Sequence, residues 1–204
     1  GVEQSLLAVA RRGETVAVED PTVPRVLDIL DRLGLRVAPV SWQDDGPDLR
    51  ELSRAMRAGA RAFLYQPNAQ SPTGRDVSAE WLAAAAGVLG AAGTIAIEVD
   101  NFAPLHARRL SLGALLPETT VLIDGFSYSH GPDIQVALLG GSAAVVERVR
   151  QQVAAERVPL HDPPHRGDHL HRQRLVGGED EDARLGSPRQ QPGAPQPDQC
   201  GFAA

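Results

Sequence analysis

The stretch TVAVEDPTVPRVLDILDRLG, residues 15–34, sets a strand pattern directly before a helix pattern. Thr15–Glu19 is a short run rich in β-branched residues, and the segment after Pro24 repeats apolar residues at helical spacing until Gly34. The same alternation continues along residues 1–152. Strands that alternate with helices favour right-handed crossovers and a mostly parallel sheet. We therefore expect an α/β fold of three layers, with helices on both faces of the sheet.

Further strand and helix patterns continue to about residue 156. The predicted strands are RVAPV, AFLYQ, TIAIEVD, TVLID and QVALLGG. The predicted helices are PDLRELSRAMRAG, SAEWLAAAAGVLGAAG and SAAVVERVRQQVAAE. The chain opens on another helix pattern, GVEQSLLAVARRG, with no strand or cap before it. These patterns predict one domain over residues 1–157 that is incomplete at its N-terminus.

The composition changes near Val158. From there to residue 204 the chain is rich in Pro, Gly, Arg, His and Gln and shows no sustained apolar period. Such a segment cannot bury enough apolar surface to offset the entropy lost on ordering. We therefore expect residues 158–204 to be a disordered or non-native tail, whose out-of-frame or otherwise non-native sequence begins between about Arg150 and Leu160.

The charge of the chain limits its partners and its chemistry. The net charge is −6, and no basic stripe is present. Because phosphate-rich partners need clustered positive charge, we expect neither nucleic acid nor an anionic membrane surface as a partner. All 20 basic residues are Arg, which keeps its proton near neutral pH and so cannot act as an amine nucleophile. Chemistry that begins from a lysine Schiff base is therefore excluded.

The compartment is predicted from cysteine usage and from the absence of targeting patterns in the given sequence. Cys200 is the single cysteine, so it has no intramolecular disulfide partner, which is typical of a reducing compartment. No apolar run reaches the roughly 18 residues that a membrane span needs, and no secretory leader pattern opens the sequence. These features predict a cytoplasmic protein.

Four segments carry a more specific pattern, in this order: GVEQSLLAVARRGETVAVEDP, YQPNAQSPTG, IEVDNF and FSYSHGPDIQVALLGG. Together they resemble the large domain of fold-type I pyridoxal-phosphate aminotransferases of class I/II. The resemblance is strongest to the branch in which that domain is fused to a GntR-type (MocR-like) winged-helix regulator. It covers residues 1–152 and implies an aminotransferase-like fold in a truncated and degenerate form.

The resemblance implies a defined set of cofactor-binding groups. In the family a lysine forms the internal aldimine with pyridoxal 5′-phosphate and later moves the proton. A carboxylate at a strand end keeps the pyridine nitrogen protonated, and an Asn and a Tyr or His contact the ring hydroxyl. A Ser or Thr, an Arg and the N-terminus of the first helix bind the phosphate.

Few of these groups are present at the corresponding positions. Tyr128 stands at the lysine, directly after Ser127, and Gln135 stands at the phosphate arginine seven residues later. Gly125 stands at the phosphate hydroxyl. Glu3, next to Val2 in the turn that faces the phosphate, would repel it. The resemblance therefore implies that covalent cofactor binding is lost.

The strand end and the turn before it depart from the family in the same way. Ser71 replaces the Asn before Pro-Thr-Gly. An ungapped match puts Val99 at the essential carboxylate and Asn101 at the Tyr or His, and leaves Asp100 on the opposite face of the strand. A slip of one residue would instead put Asp100 at the ring nitrogen, and the sequence leaves this alternative open.

Three hypotheses for function follow from the sequence. The first is a catalytically inactive aminotransferase-like domain that binds no cofactor. The second is a non-covalent small-molecule-binding effector or partner domain related to GntR-type regulators, acting as a homodimer. The third is an enzyme of another kind that uses Asp100 and Tyr128 as acid and base. The sequence offers this third hypothesis neither a nucleophile nor a metal set.

Histidine-rich and hydroxyl-bearing segments give weaker signals. The tail carries four closely spaced His, but Pro163 and Pro164 interrupt any helix that would gather them, and we expect no metal site. These residues are His161, His165, His169 and His171. Ser127 and His130 lack an orienting third group for hydrolysis. His106 and His130 are expected to be ordinary loop residues.

Overall fold

The computed structural model describes residues 1–102, 105, 109–131, 133–134 and 136–156. In this part of the chain the strands are β1 Thr15–Asp20, β2 Arg36–Ser41, β3 Ala62–Tyr65, β4 Ile95–Asp100, β5 Thr120–Gly125 and β6 Ala137–Gly141. The helices are α1 Val2–Val9, α2 Pro24–Leu33, α3 Leu49–Arg57, α4 Ala79–Ala92, α5 Ser127–His130 and α6 Ala143–Glu156. A 3₁₀ turn spans Leu112–Ala114. The tail predicted for residues 158–204 lies outside the described residues.

The described strands form one six-stranded sheet in the order β2-β1-β3-β4-β5-β6. The first five strands in this order are parallel, and β6 runs antiparallel to β5, with Gly125 opposite Ala137. A parallel crossover needs about a dozen residues or more, usually including a full helix. The described residues of the β5–β6 connection, within 126–136, form one helix, the one-turn α5. The mostly parallel α/β sheet is therefore confirmed, with one antiparallel edge strand that the sequence pattern did not predict.

Alternation along the strands divides the described core between the two faces of the sheet. Val16 and Val18 face α1, α2 and α6, whereas Ala17 between them faces α3 and α4. On β3, Leu64 faces the first side and Phe63 the second. Side chains on a strand alternate between faces, and both faces are apolar here because helices cover both. The predicted three-layer arrangement is confirmed.

Local sequence signals fix the ends of the helices. The Asp48 carboxylate accepts from the backbone N–H groups of Arg50 and Glu51 at 2.7 and 2.9 Å, and so begins α3. The Ser78 hydroxyl caps α4 in the same manner. Helices α2 and α4 end at Gly34 and Gly93, which adopt left-handed conformations. No helix in the described ranges is long and apolar enough to cross a bilayer.

We expect Gly46→Ala to lower the free energy of unfolding by about 3 kcal/mol. Gly46 has a φ of 149°, and a Cβ at this position would lie 2.7 Å from the Trp81 ring. Gly59 also has a positive φ, 86°, but no atom lies within 4 Å of its added Cβ. Gly59→Ala should therefore cost only about 1 kcal/mol. Urea unfolding measures both losses, and equal values would contradict the close packing against Trp81.

Candidate functional site

Most of the predicted site residues lie at the edge of the sheet where the parallel strands have their carboxyl ends. Asp100 ends β4 and Asn101 follows it, while Gly125 ends β5 just before α5. Helix α5 carries two more, Ser127 and Tyr128. Open α/β sheets bind ligands in the crevice outside this edge. The fold therefore brings these positions to a plausible binding edge, while Gln135 lies outside the described residues.

The end of β4 divides its side chains between the two faces of the sheet. Ile97 and Val99 pack into the core on the side of α1, α2 and α6, and Val99 is 6% exposed. Glu98 and Asp100 alternate with these residues along the strand and therefore point to the face that α3 and α4 cover. There Glu98 contacts Tyr65 and Asp100 contacts Asn68. The ungapped match thus puts the apolar Val99 of the core face at the carboxylate position, and a slip of one residue would put Asp100 of the opposite face there.

Asp100 takes part in a charge cluster of the protein's own residues. Its Oδ2 accepts from Asn68 Nδ2 at 2.9 Å and from Arg109 Nε at 3.1 Å. Arg109 also pairs with Asp124, with 2.7 Å between Nη2 and Oδ1. Burial raises the pKa of Asp100, and the Arg109 charge opposes this shift. The Asp100 carboxylate therefore ties the ends of β4 and β5 to the segment that carries Arg109.

A close contact accounts for the glycine at the end of β5. A Cβ built on Gly125 would lie 2.5 Å from Oδ1 of Asn101. A side chain here would have to displace the Asn101 amide, which directly follows β4. The Asn101 side chain thus occupies the space into which a hydroxyl-bearing side chain at position 125 would extend.

Tyr128 stands on the surface of the candidate site. Its side chain is 59% exposed, and its ring centroid lies 4.8 Å from that of Phe102, with the planes tilted by 42°. Two residues later, His130 Nδ1 lies 2.7 Å from the Ser129 hydroxyl, and its ring meets the edge of Phe126. His130 is therefore engaged by Ser129 rather than by Ser127.

Helix α1 brings Val2 and Glu3 toward the same edge, because a Cβ on Gly1 would lie 3.0 Å from Ile123 of β5. Val2 packs against the core. The Glu3 carboxylate lies in the first turn of α1 and accepts from Arg32 Nη2 at 2.7 Å. A carboxylate in the first turn stabilises the helix dipole, and an anionic group placed beside it would be repelled.

Ser71 lies in the turn that follows β3, and its backbone is held by two glutamine side chains. Gln66 Nε2 and Gln70 Nε2 donate to the Ser71 carbonyl at 3.2 and 2.9 Å. Gln66 Nε2 also donates to Glu19 Oε1 at 2.9 Å. Trp42 Nε1 donates to the other Glu19 oxygen at 2.9 Å. This set of contacts joins the Ser71 turn to a carboxylate at the end of β1.

Glu19 is one of two buried glutamates that the sequence analysis missed. Its side chain is buried, and burial raises its pKa to about 7, although the hydrogen bonds that it accepts lower the pKa. Glu98 is buried as well, and its carboxylate accepts from Tyr65, Ser111 and the backbone N–H of Leu112. Burial raises the pKa of Glu98 too. The only sequence signal was a carboxylate within an otherwise apolar strand.

Other candidate sites receive little support from the described part of the chain. Within it, no group of three His, Cys, Asp or Glu side chains is arranged to hold a metal ion. The four tail histidines and His106 lie outside the described residues. A groove of about 370 Å³ runs past Asn68, Ser78 and Leu110. Another, of about 520 Å³, lies between α1, β6 and α6. Neither groove is lined by Ser71, Asn101 or Tyr128.

Covalent binding of pyridoxal 5′-phosphate requires particular side chains, which can be compared with those at the site. An aldimine requires a side-chain amine, and the sequence contains no lysine. A pyridine ring acts as an electron sink when a carboxylate holds its nitrogen protonated, whereas the ungapped match puts Val99 at this position, and the alternative, Asp100, is bonded to Asn68 and Arg109. The residues at the described positions therefore do not fit a covalently bound pyridoxal 5′-phosphate.

Comparison with known proteins agrees with the fold. No protein-family model matches the chain. The vitamin B6 salvage pathway transcriptional repressor PtsJ of Salmonella typhimurium is 31% identical over 160 residues, which are 76% of this chain and 36% of the repressor. An aspartate aminotransferase from Rhodobacter sphaeroides matches 76% of this chain and 43% of its own, with 25% identity and a TM-score of 0.66.

A second solved structure gives the same result for the fold. The α-aminoadipate aminotransferase LysN from Thermus thermophilus, complexed with N-(5′-phosphopyridoxyl)-L-leucine, matches with a TM-score of 0.67 and 21% identity. It too aligns with 76% of this chain and 43% of its own. The chain thus spans well under half of the length of each of these proteins. The predicted resemblance to fold-type I aminotransferases and to a regulator is confirmed.

The stability of the folded body should fall as the pH rises from about 5 to about 8. The folded pKa of Glu19, about 7, exceeds its ordinary value of 4.5, so the folded state binds the proton more tightly than the unfolded state. This contribution is fully present below the unfolded pKa and lost as the pH rises through the folded pKa. Its size is about 3 kcal/mol.

Urea unfolding of the wild type and Glu19→Gln at several pH values measures this contribution. The variant should lose much of the pH dependence, because it has no proton to release. Asp20→Asn, a change of the exposed neighbouring carboxylate, is the matched control and should keep the wild-type profile. Wild-type stability that increases with pH over this range would contradict the expectation.

We expect Arg109→Met to lower the free energy of unfolding by about 2 kcal/mol, because it leaves the buried Asp100 carboxylate without its cation. Arg150 pairs with Glu147 on the exposed face of α6, at 3.1 Å. Arg150→Met should change the stability by less than about 0.5 kcal/mol. Chemical unfolding of both variants gives the comparison. Equal effects would show that the Asp100 cluster contributes no more than a surface ion pair.

Proposed function

Since the chain has the fold of fold-type I pyridoxal-phosphate aminotransferases, we propose that it is an aminotransferase-like domain that has lost transaminase activity. One observation carries the proposal: the sequence contains no lysine, and the resemblance puts Tyr128 at the position of the Schiff-base lysine. A phenol forms no imine with an aldehyde, and an Arg guanidinium does not lose its proton at neutral pH. The chain's own side chains cannot make the covalent link on which transamination depends.

Two further positions support the proposal independently of Tyr128. Val99 offers no charge to hold a ring nitrogen protonated, and its side chain is packed in the core. The Asn101 amide lies where a side chain at position 125 would extend, so a phosphate-binding hydroxyl there would have to displace it. Fold and site are separable, so the sheet is retained although these three positions no longer suit the cofactor.

A second candidate function is a domain that binds a small molecule without a covalent link, as an effector or partner domain related to GntR-type regulators. The similarity to a transcriptional repressor favours it. The exposed ring of Tyr128, paired with Phe102 beside Asn101, offers a surface on which a planar ligand can stack. This candidate includes a homodimer, because the resembled family completes its cleft with a second subunit. We place it in the cytoplasm, as cysteine usage predicts.

Light scattering and a thermal-shift screen separate the two candidates. A stable dimer whose melting temperature rises with planar carboxylate or phosphate compounds would favour the binding domain. A monomer that no such compound stabilises would remove this candidate and leave the inactive domain.

Incubation with pyridoxal 5′-phosphate followed by borohydride reduction tests the loss of the covalent link. We expect no reduced adduct on any internal residue of the wild type, because the only amine of the chain is its N-terminus. In Tyr128→Lys an amine stands at the exposed position 128, so peptide mapping should find the adduct there. A visible aldimine band in the wild type, together with transamination of an amino acid, would contradict the proposal.

A further inference from the structure

A buried carboxylate joins the ends of three adjacent strands at the edge of the sheet where the parallel strands have their carboxyl ends. Glu19, 1% exposed, lies at the carboxyl end of β1, which is between β2 and β3 in the sheet. Trp42, just after β2, donates its indole N–H to Oε2 at 2.9 Å. Gln66, just after β3, donates its amide N–H to Oε1 at 2.9 Å. Both donors require Glu19 to act as an acceptor on each of its oxygens.

The same Gln66 side chain holds the turn of residues 66–75. Its Nε2 donates to the Ser71 carbonyl at 3.2 Å, and its Oε1 faces the Ser71 N–H at 3.4 Å. The orientation of the amide is therefore fixed at one end by Glu19 and at the other by Ser71. Gln70 adds a bond from Nε2 to the Pro21 carbonyl at 2.7 Å, which anchors the turn to the segment after β1.

We propose that Glu19 is a proton-responsive positioning residue that fixes the Ser71 turn when it is ionised and loosens it when it is protonated. An ionised carboxylate accepts from both Trp42 and Gln66. A proton on Oε1 adds an O–H donor on the side that faces Gln66 Nε2 and reduces the number of lone pairs with which that oxygen can accept. The conflict is relieved when the Gln66 amide rotates, and its NH₂ group then faces the Ser71 N–H. The turn thereby loses both of its bonds to Gln66.

This proposal concerns the protein's own hydrogen bonds and holds whether or not the candidate site takes a ligand. Burial raises the pKa of Glu19 to about 7, while the bonds from Trp42 and Gln66 lower it, so the change of state falls near neutral pH. The Ser71 turn is part of the candidate binding edge. A change near neutral pH would therefore alter the shape of that edge.

Other charged or titratable groups surround this network. They come from α3, β3, β4 and the neighbouring turns: Glu51, Tyr65, Glu98, Asp44 and Arg75. Burial raises the pKa of Tyr65 well above its ordinary value, so its phenol stays neutral. Arg75, whose guanidinium lies 5.7 Å from the Trp42 ring centre, stays charged. Burial also raises the pKa of Glu98, so the test must separate Glu98 from Glu19.

Tryptophan fluorescence reports on the Glu19 contact directly, because Trp42 donates to it. The other tryptophan, Trp81, donates to the Pro47 carbonyl instead. We expect the wild-type emission to titrate with a midpoint near pH 7, and the change to be absent in Glu19→Gln and in Trp42→Phe. Asp20→Asn should titrate like the wild type. If the wild-type emission is constant from pH 5 to 9, the proposal is overturned.

Hydrogen exchange of a peptide that contains residues 66–75 measures the turn itself. After correction for the intrinsic rate, the Ser71 amide should be about tenfold better protected at pH 8 than at pH 6, as expected for the loss of a hydrogen bond to a side chain. Glu19→Gln should show the same protection at both pH values. If that variant does not fold, site-resolved ¹³C NMR of the Glu19 and Glu98 carboxyl carbons in the wild type shows which of the two titrates with the change in the turn. Equal wild-type protection at both pH values, or a tenfold change that persists in Glu19→Gln, would contradict the proposal.

Discussion

Three carboxyl groups at the carboxyl end of the sheet are removed from water and depend on the chain's own donors for their hydrogen bonds. Glu19, Glu98 and Asp100 are each at most 1% exposed. A carboxylate buried without donors is strongly unfavourable, so each one fixes the groups that donate to it. The ends of β1 and β4 are thereby tied to the turns and loop segments beside them. The shape of this edge of the sheet therefore depends in part on these bonds.

The proposed loss of transaminase activity requires this edge to keep its packing without the cofactor. On the α1 side of β4, Val99, which the ungapped match puts at the position of the ring-nitrogen partner, contributes to the core. Asn101 fills the space over Gly125, and Tyr128 rests against Phe102. Val99, Asn101 and Tyr128 each make a contact within the protein, which is what the proposal requires. Packing and catalysis place separate demands on these positions.

The sheet and its layers were predictable because they follow from local patterns. Apolar alternation and helical spacing in residues 15–34 already specify a strand followed by a covering helix, and the rest of the body repeats this unit. The direction of β6 was not predictable from its own residues, because it depends on the short connection that contains α5. The site residues were predictable as positions, from motif order alone.

The buried carboxylates were not predictable, because their partners are distant in the sequence. Glu19 is bonded to Trp42 and Gln66, which lie 23 and 47 residues away. The contact of Asn101 with Gly125 likewise depends on the pairing of β4 with β5. A periodic pattern of apolar residues indicates local structure and gives no information on contacts between residues so far apart in the sequence.

The account depends on these carboxyl groups being buried and bonded within the protein. Site-resolved ¹³C NMR of the side-chain carboxyl carbons of Glu19, Glu98 and Asp100 across the pH range measures this most directly. The account predicts that all three titrate above the ordinary range for their residue type, because burial raises the pKa of each, and that Glu19 does so near pH 7. Titration of all three near pH 4, as for carboxylates in water, would contradict it.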